Sequence, residues 1–384
     1  MKKELLAPSS RQSKLLNQLF SNVTVQQKKV NTQDKLIDHI LQFDPDDTDT
    51  ALKTSSLQPE FLATSNLPEI PWPAGLTPTP KPLNNVDPEA ALPKADILVI
   101  TWTVAEALAL SDILTPNFRS KTAWYHYRHN WTAIFKPKVK GGAPSLNHAI
   151  DRLGLWFPTE IGGKKVICFK SELHFARDGS KIPVKDLYKQ LISEVNPSLV
   201  ITTGTAGGIG SAVQLGDVVV SKKVRFDCNR TFKNQSFAQK EFTCTKSIKF
   251  DKVADANSDF MKITTSRLPQ SSRTYKIIIK TSPKYKVTDV VTTDFFAFDD
   301  STDYFKLQAL GLAVEMGDAV LGMACDELGA NAPAWIAIRN ASDPQIDGTL
   351  QYSQQVEMAA RIYEKYGYWT TVNSAIACWA VIVS

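Results

Sequence analysis

The sequence predicts an α/β protein in which a single mixed, largely buried β-sheet is flanked by helices, preceded by a helical and proline-rich N-terminal extension. Three observations carry that prediction. From Asp96 onward, short apolar runs alternate with stretches of helical periodicity. Nine of the 21 prolines crowd between Pro59 and Pro93. Ahead of them, residues 10–43 repeat their apolar side chains at helical spacing.

The composition narrows the function classes. With 384 residues, 43% hydrophobic and 22% charged, the chain reads as a soluble globular protein, holding one large domain plus an appendage or two ordinary domains. A formal charge of +5 is mild for this length; it suits an anionic substrate and does not argue for nucleic acid or a membrane surface. The five cysteines (Cys168, Cys228, Cys244, Cys325, Cys378) are scattered and form no C-x-x-C pair. That speaks against a disulfide framework or a zinc site and suits a reducing compartment. The opening MKKELLAPSSRQSKLL lacks the apolar core of a signal peptide, and AIACWAVIV near the end is too short to span a bilayer. A cytoplasmic protein is expected, with no metal and no cofactor.

Taken in order, residues 1–58 read as a helical extension. Leu15, Leu16, Leu19 and Phe20 recur at helical spacing, as do Leu36, Ile37, Ile40 and Leu41, and FDPDDTDT ends the pattern. Residues 59–94 read as an extended linker or arm poor in amide donors. A passive or oligomerising role is expected for both. The main domain, 95–384, opens with the strand ADILVITWT and the helix VAEALALSDIL. Further strands are expected in KKVICFK, SLVITTG, GDVVVSKKVRF, YKIIIKTS, VTDVVTTDFFAF and APAWIAIRNASD. Helices are expected over about 183–195, within LAVEMGDAVLGMACDELG, and at the C-terminal end. Ligands of such sheets sit beyond the carboxyl ends of the strands.

The stretch LVITTGTAGGIGSAVQLGDVVVS (199–221) places Gly204, Gly207, Gly208 and Gly210 after a strand. Their spacing is not G-x-G-x-x-G, and a second strand follows instead of a helix; nor is there a G-K-[ST]. Dinucleotide and P-loop readings therefore fail. A ligand-lining loop and a tight strand-to-strand turn both remain open on the glycines alone.

The combination TGTAGGIG…LGDVVVS resembles the purine nucleoside phosphorylase/uridine phosphorylase superfamily, in motif closest to its methylthioadenosine/S-adenosylhomocysteine nucleosidase branch. The resemblance implies a nucleoside phosphorylase-like fold in which the Thr205 hydroxyl and the backbone around Gly207 line the place of a phosphate or nucleophilic water. Three more stretches match in the same order along the chain. In AVEMGDAVLGMACDELGANAPAWIAIRNASD, Glu315 and Met316 fall on the segment under the sugar, and Arg339, Ser342 and Asp343 reproduce R-x-x-S-D, whose aspartate faces the purine. In VVTTDFFAFDD, Phe296 takes the place of an aromatic stacked on the base, two residues after Asp294. In ILVITWTVAEALAL, Glu106 falls on the glutamate that activates water. Read without the resemblance, these residues are a strand cap, core filling and a helix first-turn carboxylate.

One position departs from the pattern. Where the family reads V-E-M-E this chain reads VEMGD, so Gly317 replaces the carboxylate that accepts from the ribose hydroxyls. Either Asp318 is redirected to take that part, or the sugar is recognised differently. A stretch KTAWYHYRHNW supplies His126, Arg128 and His129, and SELHFARDG supplies His174 and Arg177. Arg128 and His126 are candidates for phosphate, either the free anion of a phosphorolysis or the 5′-phosphate of a nucleotide. The expected activity is cleavage of the N-glycosidic bond of a purine nucleoside or nucleotide by hydrolysis, with Asp343 as acid and Glu106 as base. Phosphorolysis and nucleoside binding without catalysis are the alternatives. The expected partner is that small molecule, with phosphate in the phosphorolytic case; no nucleic acid and no membrane are expected, and a homo-oligomer is the default.

Overall fold

The computed structural model describes residues 33–47, 67–140, 151–246, 264, 267, 268, 277–279 and 289–384. Leu15, Leu16, Leu19, Phe20 and Pro59 lie outside them. Helix α1 spans Gln33–Gln42. Strands β1 (Thr79–Pro80) and β2 (Ile97–Thr101) follow, then helix α2 (Val104–Leu114) and strands β3 (Tyr125–Tyr127), β4 (Gly154–Ile161) and β5 (Lys164–Ser171). Helix α3 (Pro183–Val195) leads to β6 (Leu199–Gly208), β7 (Val218–Val220), β8 (Lys223–Asp227), β9 (Glu241–Thr243), β10 (Ile277–Ile279), β11 (Asp289–Thr293) and β12 (Ala313–Glu315). Helix α4 (Asp318–Leu328), β13 (Ala334–Asp343) and helix α5 (Tyr352–Val383) complete the chain.

The sheet is mixed, as the alternation of apolar runs predicts. Its main path runs β1-β4-β5-β2-β6-β12-β11-β8-β9, with β13 laid between β6 and β7. β2 is parallel to β5 and β6, and β13 is parallel to β6. These central strands are apolar without alternation because both faces are covered: every residue of β2 is buried, and β13 is buried from Trp335 onward. Helix α5 is buried on nearly all sides from Ala359 to Ile382 and packs on β13, β6 and α2. No helix among the described residues is long and apolar enough to cross a membrane.

Helix α1 shows the predicted apolar stripe, with Leu36, Ile37, Ile40 and Leu41 buried. It is tied down at both of its polar faces. Arg177 holds Asp38 in a two-pronged ion pair at 2.6 and 2.7 Å, and His39 meets Glu364 of α5 at 2.7 Å. Helix α1 is thus seated on the body of the protein.

Candidate active site

A break along one edge of β6 makes the site. β13 pairs with β6 along one side from Leu199 to Gly207. On the opposite edge β2 pairs only with Leu199–Thr202, and β12 takes over only at Gly207 and Gly208. No strand among the described residues pairs with that edge at Thr203–Ala206, so backbone donors there need other partners. The carboxylate of Glu106 fills the gap.

Glu106 comes from the first turn of α2, where Thr103 and Glu106 form a reciprocal capping box. Its Oε2 accepts from the Thr101 hydroxyl at 2.8 Å and from the amides of Trp102 and Thr103 at 3.0 and 2.9 Å. Its Oε1 accepts from both the amide and the hydroxyl of Thr205, each at 2.7 Å. Such close approach to β6 requires glycine at 204, where φ is +147° and an added Cβ would stand 2.4 Å from Oε1.

Asp343 stands at the other end. A bulge between Ala341 and Asp343 shifts the register so that Asp343 lies opposite Gly207; bulges re-aim side chains in this way. Asp343 is 5% exposed, and its carboxyl receives a side-chain hydrogen bond from Ser342 Oγ at 3.1 Å. Burial pushes its pKa up to about 7; the Ser342 hydroxyl opposes the rise and the charge of Asp299 adds to it.

One cavity holds both carboxyls. Thr205, Gly207, Phe296, Glu315, Met316, Arg339 and Ser342 also line it, so the structure brings together most of the residues that the sequence singled out. Of the three clustered phenylalanines, Phe296 faces the cavity while Phe298 is core, and Asp294 serves its own loop by accepting from the amides of Asn229, Arg230 and Phe232. Thr103, Trp102, His174 and Tyr363 complete the wall, with Ile40 and Leu41 of α1 across it. With α1 seated, the free space is about 60 Å³.

Three expectations need correction. Asp318 does not line the cavity: its two oxygens clamp Arg339 Nε and a terminal nitrogen at 2.8 and 2.5 Å, and its side chain is fully buried. Glu315 joins this cluster through Arg339 at 3.3 Å and through its bond from Thr292. Burial, with the charge of Asp318 beside it, pushes the Glu315 carboxyl up. Arg128 is not in the site either; it pairs with Glu89 at 3.1 Å on a half-exposed surface. His126 lies in a different cavity, 3.2 Å from Arg152.

The space beside Gly317 is taken up by an aromatic ring. A Cβ added at Gly317 would stand 2.9 Å from Trp102 Cζ2. The indole is fixed by a hydrogen bond from its nitrogen to the Tyr188 hydroxyl at 3.0 Å, and Arg339 lies 4.5 Å over the ring. His174 is the other unexpected wall residue. Burial drives its pKa down to about 3, helped by Arg177 and Arg339, and its buried Nδ1 has no hydrogen-bond partner among the described residues.

Residues 188–365 match the family model described as Phosphorylase superfamily. A 5′-methylthioadenosine/S-adenosylhomocysteine nucleosidase of Psychromonas ingrahamii is 35% identical over 71 residues, covering 18% of this chain and 28% of the relative. The nucleosidase of the same description from Listeria innocua is 28% identical over 88 residues, 23% of this chain and 35% of the relative. The matched stretches thus span about a third of these relatives. Among solved structures, the nucleosidase of Neisseria meningitidis in complex with methylthio-immucillin-A aligns with a TM-score of 0.45 at 18% identity, covering 75% of this chain and 98% of the other.

Proposed function

We propose that this chain, whose residues 188–365 match the model of the phosphorylase superfamily, hydrolyses the N-glycosidic bond of a purine nucleoside. One observation carries the reading. Glu106 with Thr205, and Asp343 with Gly207, sit in one cavity two residues apart along β6, which is roughly 7 Å of strand. A C1′–N9 bond with its attacking water at one end and its departing base at the other fits that span.

The two carboxyls divide the work by their surroundings. Asp343 keeps its proton up to about pH 7, so it can donate to N7 as the purine leaves, while Phe296 offers a ring face to the base. The sugar then passes through an oxocarbenium-like state. Water attacks C1′ from the Thr205 side. The five hydrogen bonds on Glu106 fill its acceptor sites, so the water reaches it through the Thr205 hydroxyl. The water donates to Thr205 Oγ1 as that hydroxyl passes its own proton to Glu106 Oε1.

Hydrolysis is favoured over phosphorolysis because the cavity offers phosphate little to bind. Among the described lining residues, the guanidinium of Arg339 is committed to Asp318, Glu315 and the Thr205 carbonyl, and His174 is neutral. A nucleoside needs more room than the seated α1 leaves, so Ile40 and Leu41 withdraw when substrate enters.

The test is release of free base from adenosine, inosine, 5′-methylthioadenosine and S-adenosylhomocysteine, with and without phosphate. Phosphate-independent release of a purine supports hydrolysis. Release that requires phosphate overturns it, and tight nucleoside binding without release would leave a nucleoside-binding protein.

A further inference from the structure

Three segments meet at the Asp343 end of the cavity, and one side chain joins them all. They are the glycine loop at the end of β6, the segment after β11 that carries Phe296, and the segment that follows Asp343. Asp299, in the Phe296 segment, is buried yet does not line the cavity. Its Oδ2 accepts from the Gly210 amide and from Gln345 Nε2, each at 2.8 Å, and its Oδ1 accepts from Gln308 Nε2 at 3.2 Å. Its backbone carbonyl accepts from the Ile346 amide at 2.9 Å, and the Ser301 amide donates to the Ile346 carbonyl at 2.9 Å.

This clasp bears directly on Asp343. The glycine loop packs so closely on the acid that a Cβ added at Gly207 would stand 3.1 Å from Asp343 Oδ2, and one at Gly208 3.3 Å from its carbonyl oxygen. Ile209, Phe295 and Ala297 share a small apolar cluster separate from the main core, and the directed bonds of Asp299 add a register that apolar contact does not define. The partners of its carboxyl are all donors, and no lysine or arginine among the described residues pairs with it. Burial pushes the Asp299 carboxyl up, and the bonds from Gly210, Gln345 and Gln308 oppose the rise. The other ionisable groups of the cavity wall are engaged elsewhere. Glu106 is bound to Thr205, Arg339 to Asp318 and Glu315, and Tyr363 to Thr103, while His174 is neutral. Asp299 is the ionised neighbour whose charge acts on Asp343.

Resting on the function proposed above, we propose that Asp299 is a positioning residue of the reaction: its carboxylate clasps the Phe296 segment, the glycine loop and the segment after Asp343 around the purine, and stands as a fixed negative charge beside the acid. A negative neighbour disfavours ionisation of Asp343, so the donor keeps its proton to higher pH than burial alone would allow. Asp299 itself touches no reacting atom; it acts through Asp343 and Phe296.

The experiment compares the parent with Asp299→Asn, which keeps an acceptor and loses the charge, and Asp299→Leu, which loses both. Base release is measured across the pH range on whichever of adenosine, inosine, 5′-methylthioadenosine and S-adenosylhomocysteine is turned over, with circular dichroism reporting the fold. In Asp299→Asn the fall of kcat/KM with rising pH should begin about 0.5–1 pH unit lower than in the parent, a shift that a merely structural role would not produce. On the acid side of that fall Asp299→Asn should exceed Asp299→Leu about tenfold in kcat/KM, because its amide oxygen still accepts from Gly210 and Gln345. A fall at the parent's pH overturns the charge, and equal rates for the two variants overturn the clasp. Should Asp299→Leu fail to fold, the position of the fall in Asp299→Asn decides. Absence of base release from every nucleoside overturns the hydrolase reading alone, because the charge is also read without turnover. The stability that Asp343→Asn gains as pH rises through about 7 should be about a third smaller in an Asp299→Asn background, and equal gains overturn the proposal.

Discussion

The two ends of the candidate-site cavity present the same functional group in opposite settings. Glu106 accepts five hydrogen bonds, three from residues 101–103 beside its own helix start and two from the amide and hydroxyl of Thr205 directly across. Asp343 is equally buried but poorly supplied, with Ser342 as its one side-chain donor among the described residues. The difference teaches that burial alone does not set the chemistry of a carboxyl. The number of hydrogen bonds offered to its charged form decides whether it is presented as an acceptor or retained as an acid.

The largest effect should come from removing the acid. Asp343→Asn keeps the shape and loses the proton, so kcat for purine release is expected to fall by about 10²–10⁴-fold. In the parent enzyme kcat/KM should decline as pH rises through about 7, since the protonated form is the donor. A pH profile flat from 5 to 9 would remove Asp343 from that part.

The same substitution tests the setting through stability. An unfolded aspartate ionises near 4, whereas Asp343 holds its proton to about 7. Between those values the folded state binds more protons than the unfolded one, so this group's contribution to stability is present at low pH and is lost as pH rises toward 7. Asn does not titrate. Relative to the parent, Asp343→Asn should therefore gain stability between pH 5 and pH 8, by about 3 kcal/mol in urea unfolding. A constant difference across that range would show that Asp343 is not desolvated.

Glu106 should behave in the reverse sense. In Glu106→Gln the amide must turn its own donors toward Thr205 or toward the amides of Trp102 and Thr103, which costs about 1–3 kcal/mol of stability besides activity. The relay is tested separately by Thr205. Thr205→Val removes the hydroxyl between water and Glu106 and should lower kcat about 10²-fold, while Thr205→Ser should remain within about tenfold of the parent. Equal rates for the Val and Ser variants would mean that water reaches Glu106 by another path.

The contrast also explains what the sequence disclosed. Strands and helices were legible because their apolar periods are local, and Glu106 was legible through the family resemblance of ILVITWTVAEALAL, while its capping box with Thr103 is a finding of the structure. Asp318 was not. It opens α4 just after Gly317, and its side chain turns to Arg339, 21 residues later on a strand whose position only the folded sheet defines. His126 and Arg128 were misplaced for a similar reason: their chemistry suits phosphate, but β3 pairs at the outer side of β4, away from β6. In α1 the periodicity identified the apolar face and could not identify what that face would cover.

The smallest predicted effect concerns the sugar. A site that grips a hydroxyl rejects the analogue lacking it by about 10⁴–10⁵, because its polar groups are left unpaired. Here the surface at Gly317 is the ring of Trp102, Glu315 is bound to Thr292 and Arg339, and Met316 adds another apolar wall. Removing a sugar hydroxyl leaves little unpaired on this side. Adenosine and 2′-deoxyadenosine should then differ by less than about tenfold in kcat/KM. Gly317→Glu in a Trp102→Ala background, where the ring no longer blocks position 317, should shift the ratio toward adenosine. A parent enzyme that already favours adenosine a hundredfold would place the sugar against polar groups other than these.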